Sequence, residues 1–85
     1  MGQLSKLPNI GKILEEKLNN VGINTKDELY REGSKEVFLR IKNNVDNNVC
    51  LNMLYALEGA IQGIRWYGLS NGDKEKLKEF YNYIK

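Results

Sequence analysis

The sequence predicts an all-α fold, a single compact domain of about five helices over residues 1–85. Apolar residues recur at helical spacing, and no segment alternates between apolar and polar residues over the length of a strand. Residues that favour helix ends divide the chain into successive helical segments. With 41% hydrophobic and 28% charged residues, the composition is that of an ordinary soluble globular domain.

The first helix is predicted at about residues 9–20. Pro8 fits near its start, because the first turn of a helix does not use the backbone N–H that proline lacks. Gly22 stands where a left-handed residue commonly ends a helix, and Ile23 should then contact Leu18.

The second and third helices are predicted at about residues 26–32 and 35–43. Thr25 and Glu28 form a capping box, in which each side chain accepts the backbone N–H of the other residue. Gly33 should end the second helix.

The fourth helix, at about residues 48–64, is the longest and most apolar, and we expect it to be the central, buried helix of the fold. Cys50, the single cysteine, is expected to be a buried, inert thiol. Two glycines within a helix cost about 1 kcal/mol each relative to alanine, so close approach by a neighbouring helix is expected. The small face consists of Ala56, Gly59, Ala60 and Gly63, and the bulky face of Cys50, Met53, Leu54, Leu57, Ile61 and Ile64.

A last helix is predicted after the segment 65–69. Ser70 and Asp73 provide a capping signal at its start. Its inner face consists of Leu77, Phe80, Tyr81 and Ile84.

The residue inventory argues against an enzyme. Histidine, the commonest general base and metal ligand, is absent, and one cysteine can form neither a zinc site nor an internal disulfide. No glycine-rich phosphate loop of a nucleotide-binding type is present. We therefore expect no catalysis, no metal, no cofactor and no small-molecule substrate. The 13 basic and 11 acidic side chains are too evenly balanced to require a nucleic-acid partner.

No targeting or membrane segment is recognisable. The first six residues lack the apolar region of a signal peptide. Residues 47–64 are apolar but contain four amide side chains and Glu58, which makes them a poor membrane span. A cytoplasmic protein without membrane contact is expected.

The turn before the first helix could bind a phosphate. The first turn of a helix has unpaired N–H groups and a partial positive charge, which together stabilise an anion. Gly11 permits close approach, Lys12 adds a full charge, and Lys6 and Lys17 could flank the site. Such contacts would be independent of base sequence and sensitive to salt. The alternative is a turn that only directs the first helix.

The pattern Leu-Pro-x-Ile-Gly at residues 7–11, about ten helical residues and then Gly22-Ile23 resembles part of the helix-hairpin-helix motif. Many proteins with that motif hold nucleic-acid phosphates with the hairpin. The hairpin usually carries Gly-x-Gly, and here Asn9 takes the place of the first glycine. Asparagine tolerates left-handed geometry, although its side chain could fill the space that a phosphate would use. Only six residues precede Leu7, where the first helix of the motif should lie.

Glu58 and the residues after the fourth helix form a second candidate site. Glu58 is the lone charge in an apolar helix and needs a partner, for which Arg65, the N–H of Trp66 or Tyr67 are the candidates. The group is either a structural polar clamp or a pocket that binds a basic group of a partner. Trp66 and Tyr67 could anchor a protein interface or could cover the core. The other tyrosines considered are too scattered to indicate a base-stacking platform, namely Tyr30, Tyr55, Tyr81 and Tyr83.

Three stretches resemble the C-terminal domain of the TfoX/Sxy family of bacterial competence regulators. They are LPNIGKILEEKLNNVGI at residues 7–23, GSKEVFLRI at 33–41 and CLNMLYALEGAIQGIRW at 50–66. The resemblance implies a helical domain similar to helix-hairpin-helix proteins, which often follows a separate N-terminal α/β domain and also occurs alone. It implies a role in controlling genes for DNA uptake alongside the cyclic-AMP receptor protein, and it supplies no active-site residues.

Two functions are consistent with these features. The first is a non-enzymatic regulatory module that contacts DNA weakly and non-specifically through Asn9, Gly11, Lys12 and Lys17, or assists a transcription regulator. The alternative is a protein-interaction or oligomerisation domain without nucleic-acid binding. In that case the residues that dock a partner or a second copy would be Glu58, Arg65, Trp66 and Tyr67.

Overall fold

The computed structural model describes residues 3–84, which form five α-helices, two single turns of 3-10 helix and no strand. The 3-10 turns lie at Leu4–Lys6 and Trp66–Gly68. The helices are α1 (Lys12–Asn20), α2 (Lys26–Glu32), α3 (Ser34–Asn44), α4 (Leu51–Gln62) and α5 (Asn71–Ile84). The all-α prediction and the five helices are confirmed. None of these helices is long and apolar enough to cross a bilayer.

Helix α1 begins later than its sequence predicts and ends where predicted. Asn9 adopts φ 70°, a left-handed conformation that cannot belong to a right-handed helix, so α1 starts only at Lys12. At the other end Gly22 has φ 87°, and the N–H of Ile23 donates to the carbonyl of Leu18 at 2.9 Å. This is the glycine-dependent helix end that the sequence indicates.

The capping box at the start of α2 is confirmed. The Thr25 hydroxyl accepts the N–H of Glu28 at 3.1 Å, and the Glu28 carboxylate accepts the N–H of Thr25 at 3.1 Å. Hydrogen bonds from the N–H groups of Asn24 and Thr25 hold the pKa of Glu28 below its ordinary value. Gly33, with φ 86°, ends α2 and is followed directly by α3.

Helix α4 is the central helix, as predicted, but the prediction that it is the longest is wrong, because α5 has 14 residues and α4 has 12. It packs against α2, α3, α5 and the second 3-10 turn. Leu54, Leu57 and Ala60 are completely buried in a core that all five helices cover. Burial of the two leucine side chains stabilises the fold by about 3–6 kcal/mol.

The limits of α4 correct two expectations. Cys50 is extended and precedes the first residue of the helix, so its side chain is exposed and the prediction of a buried thiol is wrong. Gly63 adopts φ 77° and ends the helix after Gln62, so it is a left-handed terminal residue and not part of a helical face.

Helix α5 closes the core from the C-terminal side. The Ser70 hydroxyl accepts the N–H of Asp73 at 3.0 Å, which confirms the predicted capping signal. Leu77 is buried, and the Tyr81 ring meets Phe38 of α3 edge to face at 6.1 Å.

Candidate functional site

The side chain of Asn9 fastens the N-terminal hairpin turn to the end of α4. Its amide nitrogen donates to the carbonyls of Ile64 at 2.9 Å and Ala56 at 3.4 Å, and its amide oxygen accepts the N–H of Trp66 at 3.0 Å. These partners lie 47 to 57 residues away along the chain. The side chain is therefore directed at α4 and the turn after it.

Gly59 makes this close approach possible. A β-carbon at this position would lie 2.6 Å from the amide nitrogen of Asn9 and 2.8 Å from the carbonyl oxygen of Ile64. The sequence predicted that small residues of this helix accommodate a close neighbour. A neighbouring helix was expected at Gly59. The groups that approach Gly59 are instead the Asn9 side chain and the backbone of Ile64 and Trp66.

The docked hairpin forms one wall of an open groove. Residues 5–11 line one side of this hairpin groove and residues 63–65 line the other. Within residues 3–84, the charged side chains lining it are Lys6 and Arg65, and both are exposed. The groove is therefore cationic. Arg65 contributes to it because α4 ends before this residue and the chain turns back towards the hairpin.

The N-terminus of α1 opens onto the hairpin groove. Gly11 is its N-cap residue, and in the part of the chain that the structure describes no side chain caps this end. The N-termini of α3 and α4 likewise have no side-chain cap, whereas those of α2 and α5 are capped by Thr25 and Ser70. The space beside Gly11 is open, since a β-carbon there would have nothing within 4 Å, and Lys12 is exposed in the first turn.

Lys17 lies apart from the hairpin groove. Its ammonium group is 2.8 Å from the carboxylate of Asp46, in the loop after α3. This hydrogen bond, with a second from the N–H of Asn48, lowers the pKa of Asp46. Lys17 thus joins α1 to that loop and is not among the residues that line the hairpin groove.

The expected partners of Glu58 were wrong. Its carboxylate accepts hydrogen bonds from the Ser34 hydroxyl at 2.7 Å and the Gln62 amide at 2.8 Å. Gln62 also donates to Asp73 at 3.0 Å, so the network links α3, α4 and α5. The N–H of Trp66, one of the expected partners, donates to Asn9. Glu58 thus takes part in a network between three helices, and Arg65 lines the hairpin groove.

Three aromatic side chains meet beside Arg65. The rings of Tyr55 and Trp66 are nearly parallel, with centroids 6.2 Å apart, and Tyr67 meets Trp66 edge to face at 5.7 Å. Trp66 is 36% exposed and Tyr67 is 66% exposed, whereas Tyr55 is partly buried and packs against the core. Sequence reasoning missed Tyr55 because it lies on α4, 11 residues before Trp66, and no local pattern relates the two.

Comparison with known proteins places the chain in a family. The sequence model of a family described as the TfoX C-terminal domain matches residues 1–81. The chain belongs to the TfoX C-terminal domain family. This confirms the family that the three sequence stretches indicate, and no curated protein matches the chain.

Two crystal structures of Listeria monocytogenes proteins are close to this TfoX-type domain. One, an uncharacterized protein in a triclinic form, is 57% identical with a TM-score of 0.93, covering 95% of this chain and 91% of that chain. The other, a protein of unknown function in a tetragonal form, is 55% identical with a TM-score of 0.94, covering 98% of this chain and 100% of that chain. The similarity therefore extends over whole chains.

Across residues 3–84, no group of three or more potential metal-ligating side chains is placed to hold an ion. The hairpin groove instead combines exposed cations, an uncapped helix N-terminus and, next to it, exposed aromatic rings.

Proposed function

We propose that this domain is a non-enzymatic regulatory module that holds nucleic-acid phosphates weakly, and without regard to base sequence, at the hairpin groove. In keeping with its family, it would act in the cytoplasm in transcriptional control of genes for DNA uptake. The observation that carries the proposal is the uncapped N-terminus of α1 beside a groove whose charged lining residues, among those the structure describes, are Lys6 and Arg65.

The contact depends on backbone and charge and not on base edges. The first turn of α1 presents N–H groups with a partial positive charge, to which a phosphate oxygen can bind. Lys6, Lys12 and Arg65 add three full charges close to this turn. Phosphate contacts of this kind position a protein on nucleic acid and carry no sequence information.

The salt dependence follows from the number of cations. Three neutralised phosphates give a slope of log affinity against log salt of about −2.7. Affinity for a labelled duplex, measured by fluorescence anisotropy, should then fall about 40-fold between about 50 mM and about 200 mM salt. We expect dissociation constants that are micromolar or weaker.

Lys12→Glu is the decisive variant. A glutamate in the first turn of a helix interacts favourably with the helix dipole, so α1 stays folded while the phosphate is repelled. Lys78→Glu, at an exposed position of α5, is the matched control with the same change in charge. Binding should be lost in the first variant and kept in the second. Equal affinities for the two variants, or no binding at low salt, would contradict the proposal.

A protein-interaction domain is the second candidate, which the exposure of Trp66 and Tyr67 favours. In that case a partner or a second copy docks on Arg65 and these aromatic side chains. A sedimentation coefficient that rises with protein concentration, and no longer does so in Trp66→Ala, would support this candidate.

A further inference from the structure

The aromatic group beside the hairpin groove has the character of a ligand-binding surface. Tyr55, Trp66 and Tyr67 form a continuous series of rings, nearly parallel and then edge to face. Tyr67 has two thirds of its surface exposed, although in so small a domain an aromatic side chain of this size could have been buried. Packing of the core therefore does not explain its position.

Arg65 connects this aromatic surface to the hairpin groove. It lines the hairpin groove with Lys6, and it also lines a second groove with Trp66, Tyr67 and two amides, Asn9 and Asn52. In the described part of the chain, no acidic side chain lines either groove. A partner that occupies both the hairpin groove and the second groove needs negative charge next to a flat ring.

Single-stranded nucleic acid has this combination. It presents a phosphate at every nucleotide and bases whose flat faces are free to stack on aromatic side chains. In a duplex the bases are stacked inside the helix, and an acidic peptide offers the charge without a regular supply of rings. The exposed amide of Asn52 adds a hydrogen-bonding group that suits the edge of a base.

We propose that the exposed ring of Tyr67 stacks an unpaired base of single-stranded nucleic acid beside Trp66, and that Arg65 holds the phosphate of that nucleotide. The inference rests on the proposed function, because it assigns the aromatic group to the same ligand. It adds that the domain prefers unpaired strands to duplex. Stacking of one base on an aromatic side chain increases affinity on the order of tenfold, and every base has a face that can stack.

The test compares two strands of equal charge. One is an oligothymidylate of about eight nucleotides, and the other has the same backbone without bases. Trp66 is the only tryptophan of the chain, so its fluorescence reports this surface alone. We expect the oligothymidylate to quench that fluorescence and to bind about tenfold more tightly than the abasic strand. The abasic strand and a duplex should bind without quenching.

Substitutions at Tyr67 separate stacking from structure. Tyr67→Phe keeps the ring and should keep the affinity for the oligothymidylate, whereas Tyr67→Leu should lose about tenfold. Neither should alter the affinity for the abasic strand or the duplex. Tyr83→Leu, at a position of α5 that is 87% exposed, is the control and should change nothing. Circular dichroism checks that each variant is folded.

The outcomes distinguish this inference from the proposed function. If the abasic strand and the duplex bind in a Lys12-dependent manner, but bases add neither affinity nor quenching, the stacking inference fails and the phosphate contact stands. If none of the strands binds at low salt, both fail. If Trp66 emission changes with protein concentration alone, the aromatic group is an interface between proteins and the inference is overturned.

Discussion

Replacement of Asn9 tests how the hairpin groove is built. In Asn9→Ala the carbonyl of Ile64 and the N–H of Trp66 each lose a hydrogen bond, at 2.9 Å and 3.0 Å. Each bond contributes about 1 kcal/mol net, and alanine at φ 70° adds about 1 kcal/mol of backbone strain. The free energy of unfolding should therefore fall by about 3 kcal/mol. For a domain of about 5–15 kcal/mol total stability, that is a large share.

Asn9→Gly separates the two contributions. Glycine adopts the left-handed conformation without strain, so only the hydrogen bonds are lost and the decrease should be about 2 kcal/mol. Urea denaturation followed by circular dichroism measures both variants. With a slope of about 1 kcal/mol per molar urea, the midpoints should fall by about 3 M for alanine and about 2 M for glycine.

Two results would refute this account of Asn9. If the free energy of unfolding of Asn9→Ala lay within about 0.5 kcal/mol of the wild-type value, the side chain would not hold the hairpin. A glycine variant as unstable as the alanine variant would show that backbone strain contributes nothing. Asn82→Ala, at an exposed position of α5, controls for loss of an amide and should stay within about 0.5 kcal/mol.

Contacts of Gly59, Asp46 and Lys17 can each be tested by substitution. Gly59→Ala should lower the free energy of unfolding by about 1–3 kcal/mol in urea denaturation, because its β-carbon would collide with Asn9 and backbone. Gly11→Ala has open space and should lower it by less, through the poorer N-cap preference of alanine alone. Ionised Asp46 is stabilised in the folded state, so its contribution is present above pH 3.8 and is lost as the pH falls through its lower folded pKa. Acid titration of Asp46→Asn should therefore show a shallower loss of stability below pH 3.8, and a curve identical to that of the wild type would contradict this. In anisotropy titrations Lys17→Ala should weaken duplex binding less than Lys12→Ala does, because Lys17 is neutralised by Asp46 outside the groove. Equal losses of affinity would contradict this and would place both lysines at the ligand.

The parts of the fold that the sequence predicts well are those that depend on near neighbours. The Thr25–Glu28 capping box and the helix end at Gly22–Ile23 involve residues at most five positions apart. Their geometry follows from local hydrogen bonds and from the left-handed freedom of glycine. Helical spacing of apolar residues likewise identified α4 as the central helix, because burial of its wide face is required in any packing of so short a chain.

The predictions that failed depend on where the chain turns. Glu58 and Arg65 would share a face only if α4 continued past Gly63, but that residue is left-handed and reverses the chain. Arg65 therefore lines the hairpin groove, and the Glu58 carboxylate accepts a hydrogen bond from Ser34, 24 residues earlier. Cys50 is exposed for the related reason that the helix starts one residue after it.

By itself, the sequence determined the family, the all-α class and the central helix. Those features follow from local helix propensity, from the helical spacing of apolar residues and from the three stretches that resemble the TfoX C-terminal domain. Tertiary structure alone decided that Asn9 turns inward, that Lys17 is neutralised and that Tyr55 joins Trp66. Each of those outcomes joins residues 11 to 57 positions apart, and such pairings are selected by packing and not by local pattern.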